Sequence, residues 1–528
     1  MGNHLPTGWT ATTLENVANW GSGGTPSRKN PNFFIGNIPW IKTGELVNKY
    51  VRDSDEKISD EAIKKSSAKV FPAGSVGIAM YGATIGKLSI FAVDASTNQA
   101  CAVAVPLEEL LSNEFLYYYL LSERRALIDS GKGGAQPNIS QGLLKGWPIL
   151  LPPLNEQKRI VAKIEELFSE LDNGTAALKT AREQLKVYRQ VVLKHAFEGK
   201  LTAKWREENA DKLESPEQLL ARIQQERETR YQQKLDAWNA AVKTWQVYGK
   251  DGKKPGKPNA PNQAEILSKS EVQELSEIPK SWAFLRLGDF IDNIDAGKSF
   301  KCDEREPSDN EIGVAKVSAV TWGEYDESES KTCLDPAKVN PLYYVQKGDF
   351  ILSRANTIEL VGACVIARDV TKKIMLSDKT LRIRFGGIDE QYVLQYLRSH
   401  HGRNEIMRRS TGNQDSMRNI GQDRIKSIVV PVCSDSEMSV IVREVYQKLD
   451  FTSRMFEEIE AQLLKSETLR QSILKKAFSG QLVPQDPSDE PASELLAKIH
   501  SEKAAAQGQA IQPTSKQGHI KASKETPK

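Results

Sequence analysis

The residues whose types and spacing come nearest to chemistry lie in three glycine-rich stretches. GATIGK, Gly82 to Lys87, has the look of a phosphate cradle, in which backbone N–H groups and a lysine surround phosphate oxygens. It has three residues between its glycines where that cradle needs four, and Leu88 stands where a hydroxyl must reach magnesium. GSGGT (Gly21 to Thr25) and GKGGAQ (Gly131 to Gln136) lack the spacing of a dinucleotide turn and the helix behind it, so they read as turns. The five cysteines (Cys101, Cys302, Cys333, Cys364, Cys433) are scattered without a CxxC, and the six histidines are equally dispersed. That spacing predicts no metal site and a reducing compartment.

NPLY, Asn340 to Tyr343, resembles the NPPY of adenine methyltransferases, but leucine replaces the second proline and no glycine-rich cofactor turn follows an earlier strand. No HExxH, GxSxG or clustered-carboxylate pattern occurs. The sequence therefore predicts a chain without catalytic residues of its own. Its 528 residues suffice for two or more domains, and 39% hydrophobic with 27% charged residues is a globular composition. A net charge of +3 does not by itself mark a nucleic-acid binder. The first residues lack a basic-then-apolar leader and no apolar run of ~20 residues appears, which predicts a cytoplasmic protein.

Internal repetition organises the chain. RQVVLKHAFEGKL from Arg189 returns as RQSILKKAFSGQL from Arg470, identical at eight of thirteen positions. LPTGWTATTL corresponds to IPKSWAFLRL, FPAGSVGIAM to VQKGDFILSR, NEFLYYYLLS to EQYVLQYLRS, and SPEQLLARIQQER to PASELLAKIHSEK. Each half thus reads as a globular domain, a long helix with an AF-x-G-x-L end, and a short charged helix. Steps of four and three from Ile160 visit Ile164, Leu167, Leu171, Leu178, Ala181, Leu185, Tyr188 and Val192, broken only by Gly174 and His195. This heptad spacing predicts helices that pair along their length. SVGIAMYG, KLSIFAV, DFILSR and GACVIA read as strands, and NEFLYYYLLSERRALI and EQYVLQYLRSHHGRNEIM as helices with aromatics at core spacing. Between the halves, Pro216 to Val247 reads as a charged helix and GKDGKKPGKPNAPNQ as a flexible linker.

The segment LLPPLNEQKRIVAKIEELFSELD, Leu150 to Asp172, resembles the joint between recognition domain and conserved helix in specificity subunits of type I restriction–modification enzymes. LVPQDPSDEPASELLAKI, AFEGKLTAKWREEN, IPWIKTGEL, YGATIGK and GGAQPNIS fit the same family, in order and over nearly the whole chain. The second copy departs from it, with SIVVPVCSDSEM where the first has PILLPPLNEQKR. The resemblance implies an α+β fold in which two target-recognition domains are held apart by an antiparallel two-helix coiled coil, with an internal pseudo-twofold repeat. The expected division is 1–152 (first recognition domain), 153–202 (first conserved helix), 203–276 (charged extension and linker), 277–432 (second recognition domain), 433–482 (second conserved helix) and 483–528 (short helix and disordered tail).

The resemblance further implies a subunit that reads a split, asymmetric site in double-stranded DNA. It also implies docking of two adenine-N6 methyltransferase subunits, which the motor and nuclease subunits then join. S-adenosylmethionine, ATP and Mg2+ are then expected on partners, with no cofactor in this chain. Reading bases requires Arg, Lys, Asn, Gln and Thr at groove edges. The candidates are Lys42, Thr43, Tyr81, Thr84, Lys87, Lys132, Gln136 and Asn138 in the first domain. In the second they are Lys316, Ser318, Arg354, Asn356, Thr357, Asn413, Gln414 and Arg418. Arg398 to Lys426 carries the densest positive run of either domain. For partner binding, the repeated residues are Arg189, Gln190, Lys194 and Phe197 in one copy and Arg470, Gln471, Lys475 and Phe478 in the other, with helix packing as the competing role of the phenylalanines. The alternatives are a self-sufficient methyltransferase or nuclease, and a coiled-coil protein that never touches DNA.

Overall fold

A computed structural model describes residues 5–131, 138–250, 252, 254–260, 264–268, 270–273, 275–414 and 417–509. The chain divides into two compact units, 1–179 with 460–528, and 180–459. The division is not linear. Each unit holds one globular domain, the start of the long helix that follows it, and the end of the other long helix.

In each globular domain the strand after a buried tryptophan pairs with the last strand before the long helix. Thr10–Thr13 runs antiparallel to Pro148–Leu151, with Thr10 opposite Leu151, and Ala283–Arg286 to Val429–Val432, with Ala283 opposite Val432. Inside these clasps lie a larger and a smaller sheet, and unit 2 adds a third, of Ala355–Asn356, Met417–Asn419 and Thr411–Gln414. The larger is five-stranded in unit 1, built around Cys101–Pro106 and Val76–Ala79, and four-stranded in unit 2, built around Thr380–Phe385 and Phe350–Ser353. The smaller contains a parallel pair in both: Ile38–Ile41 with Ala95–Thr97, and Ile312–Ala315 with Lys373–Met375. Buried β-branched and aromatic residues line both sheets, the side chains that fit a pleated surface.

The aromatic helix Asn113–Asp129 covers the larger sheet of unit 1, and the Ser112 hydroxyl caps it by accepting from Phe115 N–H. Its counterpart is not one helix but two, Glu390–Arg398 and His400–Arg409. Ser399 is extended at ψ 162° and its hydroxyl accepts from Gly402 N–H at 3.1 Å, starting a new helix. A Cβ at Gly402 would lie 2.1 Å from Tyr396 O, so only glycine lets the second helix fold back so tightly.

The long helices are Leu154–Phe197 and Asp435–Phe478. In unit 1 the first half of one meets the last turns of the other: Arg470 pairs with Asp172 and its guanidinium lies 4.7 Å from the Phe168 ring centre. In unit 2, Val192, Leu193 and Ala196 share a core with Met438, Ile441 and Val445. The helices therefore run in opposite directions, the coiled coil that the heptads predict. The charged helices Pro216–Val247 and Ala492–Gln509 pack through matching residues, Leu219 and Ile223 in one and Leu495 and Ile499 in the other. Among the described residues no helix is long and apolar enough to cross a membrane, and no three His, Cys, Asp or Glu side chains are grouped to hold a metal.

Candidate DNA interface

The repeated AF-x-G motif is explained by what it docks against. Phe197, at the end of the first long helix, is 2% exposed and packs edge-on against Tyr392 and Tyr396, with ring centres 5.2 Å away in each case. Phe478, at the end of the second, packs edge-on against Phe115 at 5.2 Å and Tyr119 at 5.3 Å. Each helix end is therefore seated on the recognition domain of the other half. The glycine two residues on closes the helix in the left-handed region, Gly199 at φ +70° and Gly480 at φ +72°. It also lies against a proline: an added Cβ would come 2.3 Å from Pro279 Cγ in unit 2 and 2.4 Å from Pro6 Cγ in unit 1.

Beneath each seat lies a buried glutamate in the first turn of the long helix. Glu437 is 0% exposed and accepts from Arg206 at 2.5 Å, Thr202 at 2.6 Å and the Trp282 indole at 2.9 Å. Arg206 also donates to Gly199 O. Glu156 is 1% exposed and accepts from the Gln485 amide at 3.2 Å, which also donates to Gly480 O. Burial raises the Glu156 carboxyl above its ordinary range, against the pull of Trp9 and Gln485.

The candidate base-reading residues around Met80 and Arg354 lie just past the strands Val76–Ala79 and Phe350–Ser353, on a main-chain frame common to both units. In unit 1, Met80 N–H donates to Ala100 O, Gly86 N–H to Ala79 O, and Ile139 N–H to Met80 O, each at 2.8–2.9 Å. In unit 2, Arg354 N–H donates to Lys379 O, Gly362 N–H to Ser353 O, and Ile420 N–H to Arg354 O, each at 2.7–2.9 Å. Gly86 (φ +74°) and Gly362 (φ +76°) occupy the same corner, and a Cβ there would strike Ile128 at 2.9 Å or Ile406 at 2.6 Å. The frame thus brings Tyr81, Thr84 and Lys87 beside Asn138 in unit 1, and Arg354, Asn356 and Thr357 beside Arg418 in unit 2.

Lys42 and Lys316 are equivalent too, each preceding a single 3-10 turn after the parallel strand, Thr43–Glu45 and Val317–Ala319. Lys42 reaches Glu56 at 2.9 Å, a carboxylate shared with Arg28 at 2.7 Å; the Glu56 hydrogen bond raises the Lys42 ammonium above its ordinary range. Thr43 is half-buried beside it. Ser318 donates to Glu329 at 2.6 Å, and Asn356 to Ser353 Oγ at 3.3 Å. Tyr81 is 38% exposed and Asn138 is exposed. Arg418 braces its own hairpin, donating to Gly412 O at 2.7 Å and Ser410 Oγ at 3.1 Å. Asn413 and Gln414, of which only the backbone is described, belong to strand Thr411–Gln414, and Lys132 and Gln136 lie outside the described residues.

Part of the positive run from Arg398 faces inward, while Arg408, Arg424 and Lys426 are exposed. Arg398 donates to Gly323 O and Cys364 O, Arg403 to Val361 O and Ile358 O under the Trp322 ring, and Arg409 to Ser427 O. Burial pushes the Arg398 and Arg403 guanidiniums below their ordinary range. Sequence reasoning passes over one pair on each rim. Thr25 donates to Gln99 in unit 1 and Ser299 to Asp378 in unit 2. The signal for the first is the GSGGT run, because a Cβ at Gly23 would lie 2.1 Å from Thr97 Oγ1 and push this crossing apart. Of the repeated helix residues, Arg189, Gln190, Lys194, Gln471 and Lys475 are exposed, whereas Phe197 and Phe478 fill the seats and Arg470 is held by Asp172 and Phe168.

A profile of the family described as "Type I restriction modification DNA specificity domain" matches residues 6–184. The specificity subunit of the type I restriction enzyme EcoKI from Escherichia coli (strain K12) is 25% identical, the match covering 96% of this chain and 97% of that one. The specificity subunit of EcoDI, also from Escherichia coli, is 23% identical with the same coverage. Among solved structures, a chain from a type I R-M system superposes with a TM-score of 0.60 at 16% identity, over 90% of this chain and 99% of that one. The HsdS subunit from Thermoanaerobacter tengcongensis superposes with a TM-score of 0.50 at 16% identity, over 90% and 98%.

Proposed function

The chain belongs to the family of type I restriction–modification specificity subunits, and from that premise we propose that it reads a bipartite, asymmetric DNA site, one part with each unit. It is the specificity member of such an enzyme and works within a complex on DNA. The observation that carries the two-part reading is the shared main-chain frame bearing unlike side chains. At the common position of the frame one unit has Met80 and the other Arg354, and the loops that follow carry Tyr81 and Thr84 in one and Asn356 and Thr357 in the other, so two base readers of one design have different preferences. Lys42 and Lys316 sit at equivalent corners, as phosphate or base contacts that set each reader on the duplex.

The same premise extends to assembly. Two adenine-N6 methyltransferase subunits take equivalent seats, one on the exposed Arg189, Gln190 and Lys194 and one on Gln471 and Lys475, because a repeated surface offers identical copies identical contacts. The motor and nuclease subunits join through them. S-adenosylmethionine, ATP and Mg2+ act on those partners, with no cofactor on this chain. The test is selection from a random duplex library by the full chain assembled with its methyltransferase. A motif of two parts around a fixed unspecified spacer is expected; a single contiguous motif or no enrichment overturns the reading. Methylation by the purified chain alone, with labelled S-adenosylmethionine, would instead favour the self-sufficient enzyme.

A further inference from the structure

The charged helix between the two halves begins like Ala492–Gln509 of the second copy but is longer, 32 residues against 18, and the functions above leave its far part unused. This helix, Pro216–Val247, divides by the fate of its cations. Near the start every basic side chain is tied down. Arg222 meets Glu214 at 2.9 Å and Asp435 at 3.1 Å, Arg227 meets Asp289 at 2.8 Å, Arg230 meets Asp292 at 3.5 Å, and Lys234 meets Asp292 at 3.2 Å. These pairs, with buried Leu219 and Ile223, fasten the helix to the second recognition domain. Beyond Lys234 the helix runs on for about 20 Å, at ~1.5 Å per residue to Val247.

That far end is different in kind. Residues 243–257, KTWQVYGKDGKKPGK, hold five lysines against one aspartate in a chain whose net charge is only +3. Lys243, Lys250, Lys254 and Lys257 are exposed, and no carboxylate pairs with them among the described residues. The tip is nonetheless built. The Trp238 indole donates to Pro255 O at 3.0 Å, the Trp245 indole donates to Gly252 O at 3.2 Å, and the Lys257 ammonium lies 6.0 Å from the Trp238 ring centre. Gly249 and Lys250 take positive φ to reverse the chain. Within the stretch that reads from sequence as a linker, Gly252 and Pro255 are thus held to the helix end by two tryptophans. The exposed ammonium groups stand around a turn whose Tyr248 is 76% exposed.

We propose that this lysine tip is a sequence-independent anchor for the phosphate backbone of duplex DNA. Compact ammonium groups suit phosphates, which carry no base information, and these stand on a lever that extends ~20 Å past its last ion pair. The inference rests on the DNA-binding reading above and adds a contact that raises affinity without adding to the recognised sequence. Each phosphate neutralised contributes about −0.9 to the slope of log affinity against log salt.

The experiment measures that slope for the full chain assembled with its methyltransferase, on cognate and unrelated duplexes. The variants are K250Q/K254Q/K257Q and the charge-preserving K250R/K254R/K257R. For the glutamine variant the account expects the slope to shallow by roughly 2 to 3 units. Affinity for cognate and unrelated DNA should fall by a similar factor, and the arginine variant should keep the wild-type slope. A glutamine variant with the wild-type slope overturns the proposal. So does one that loses a protein subunit from the complex while its salt dependence is unchanged, because the tip would then dock protein. A wild-type complex that protects no specific site would instead sink the DNA-binding reading itself.

Discussion

The two helix seats follow one plan with different chemistry. In unit 2, Phe197 is fully enclosed and the buried Glu437 carboxylate is matched by the Arg206 guanidinium, a hydroxyl and an indole. In unit 1, Phe478 is only partly buried and the equivalent Glu156 meets a neutral amide, Gln485. The nearest cation, Arg159, is engaged with Asp489 at 2.7 Å. The geometric demand, an aromatic plug, a left-handed glycine on a proline and a bridge from the glycine carbonyl to a buried carboxyl, is common to both. The charge balance is local, so the seats differ in strength and in their response to pH.

The largest difference should come from the bridge. Arg206→Ala leaves Glu437 buried and uncompensated, a loss of about 3–5 kcal/mol for a broken buried pair. Gln485→Ala removes one neutral donor, worth about 1 kcal/mol. Native-state hydrogen exchange resolves the two, because protection should collapse in 180–459 for the first variant and change little in unit 1 for the second. Equal losses would dissolve the comparison. Next is the plug: Phe197→Ala should cost about 3–5 kcal/mol and Phe478→Ala distinctly less, since the latter gives up less buried area.

The pH dependence is subtler. The folded Glu156 carboxyl is raised by burial, so the contribution it makes is fully present below its unfolded pKa and is lost as pH rises through the raised folded value. Glu156→Gln, which keeps an acceptor for Gln485, should therefore stabilise unit 1 at neutral pH, with the gain shrinking on acidification. Exchange rates at neutral and acidic pH check this, and a destabilised neutral-pH variant would show that the carboxylate is needed charged.

Much of this plan is legible in the sequence. Heptads, tryptophans, AF-x-G and the aromatic helix patterns survive in both halves because each fills a fixed volume. What the sequence does not carry is the exchange of helix ends. AFEGKL and AFSGQL are alike, as are the two aromatic helices, so docking on the domain of the same half and docking on the other leave the same residue pattern. The interface is less legible still. Its frame is made of main-chain hydrogen bonds to Met80 and Arg354, which need only glycine at the corners, so the side chains above it vary freely. Charge density misleads for a related reason, as Arg398, Arg403 and Arg409 of the dense run are spent on carbonyls of their own domain.

The central claim is that each unit reads its own part of the site, and the most direct test is to perturb one reader. Library selection with the assembled Arg354→Ala variant should relax base preference within one part of the motif, by about 1–3 kcal/mol at a directly contacted base. The other part and the spacer should remain as in the parent chain. Simultaneous loosening of both parts, or an unchanged motif, would contradict the account.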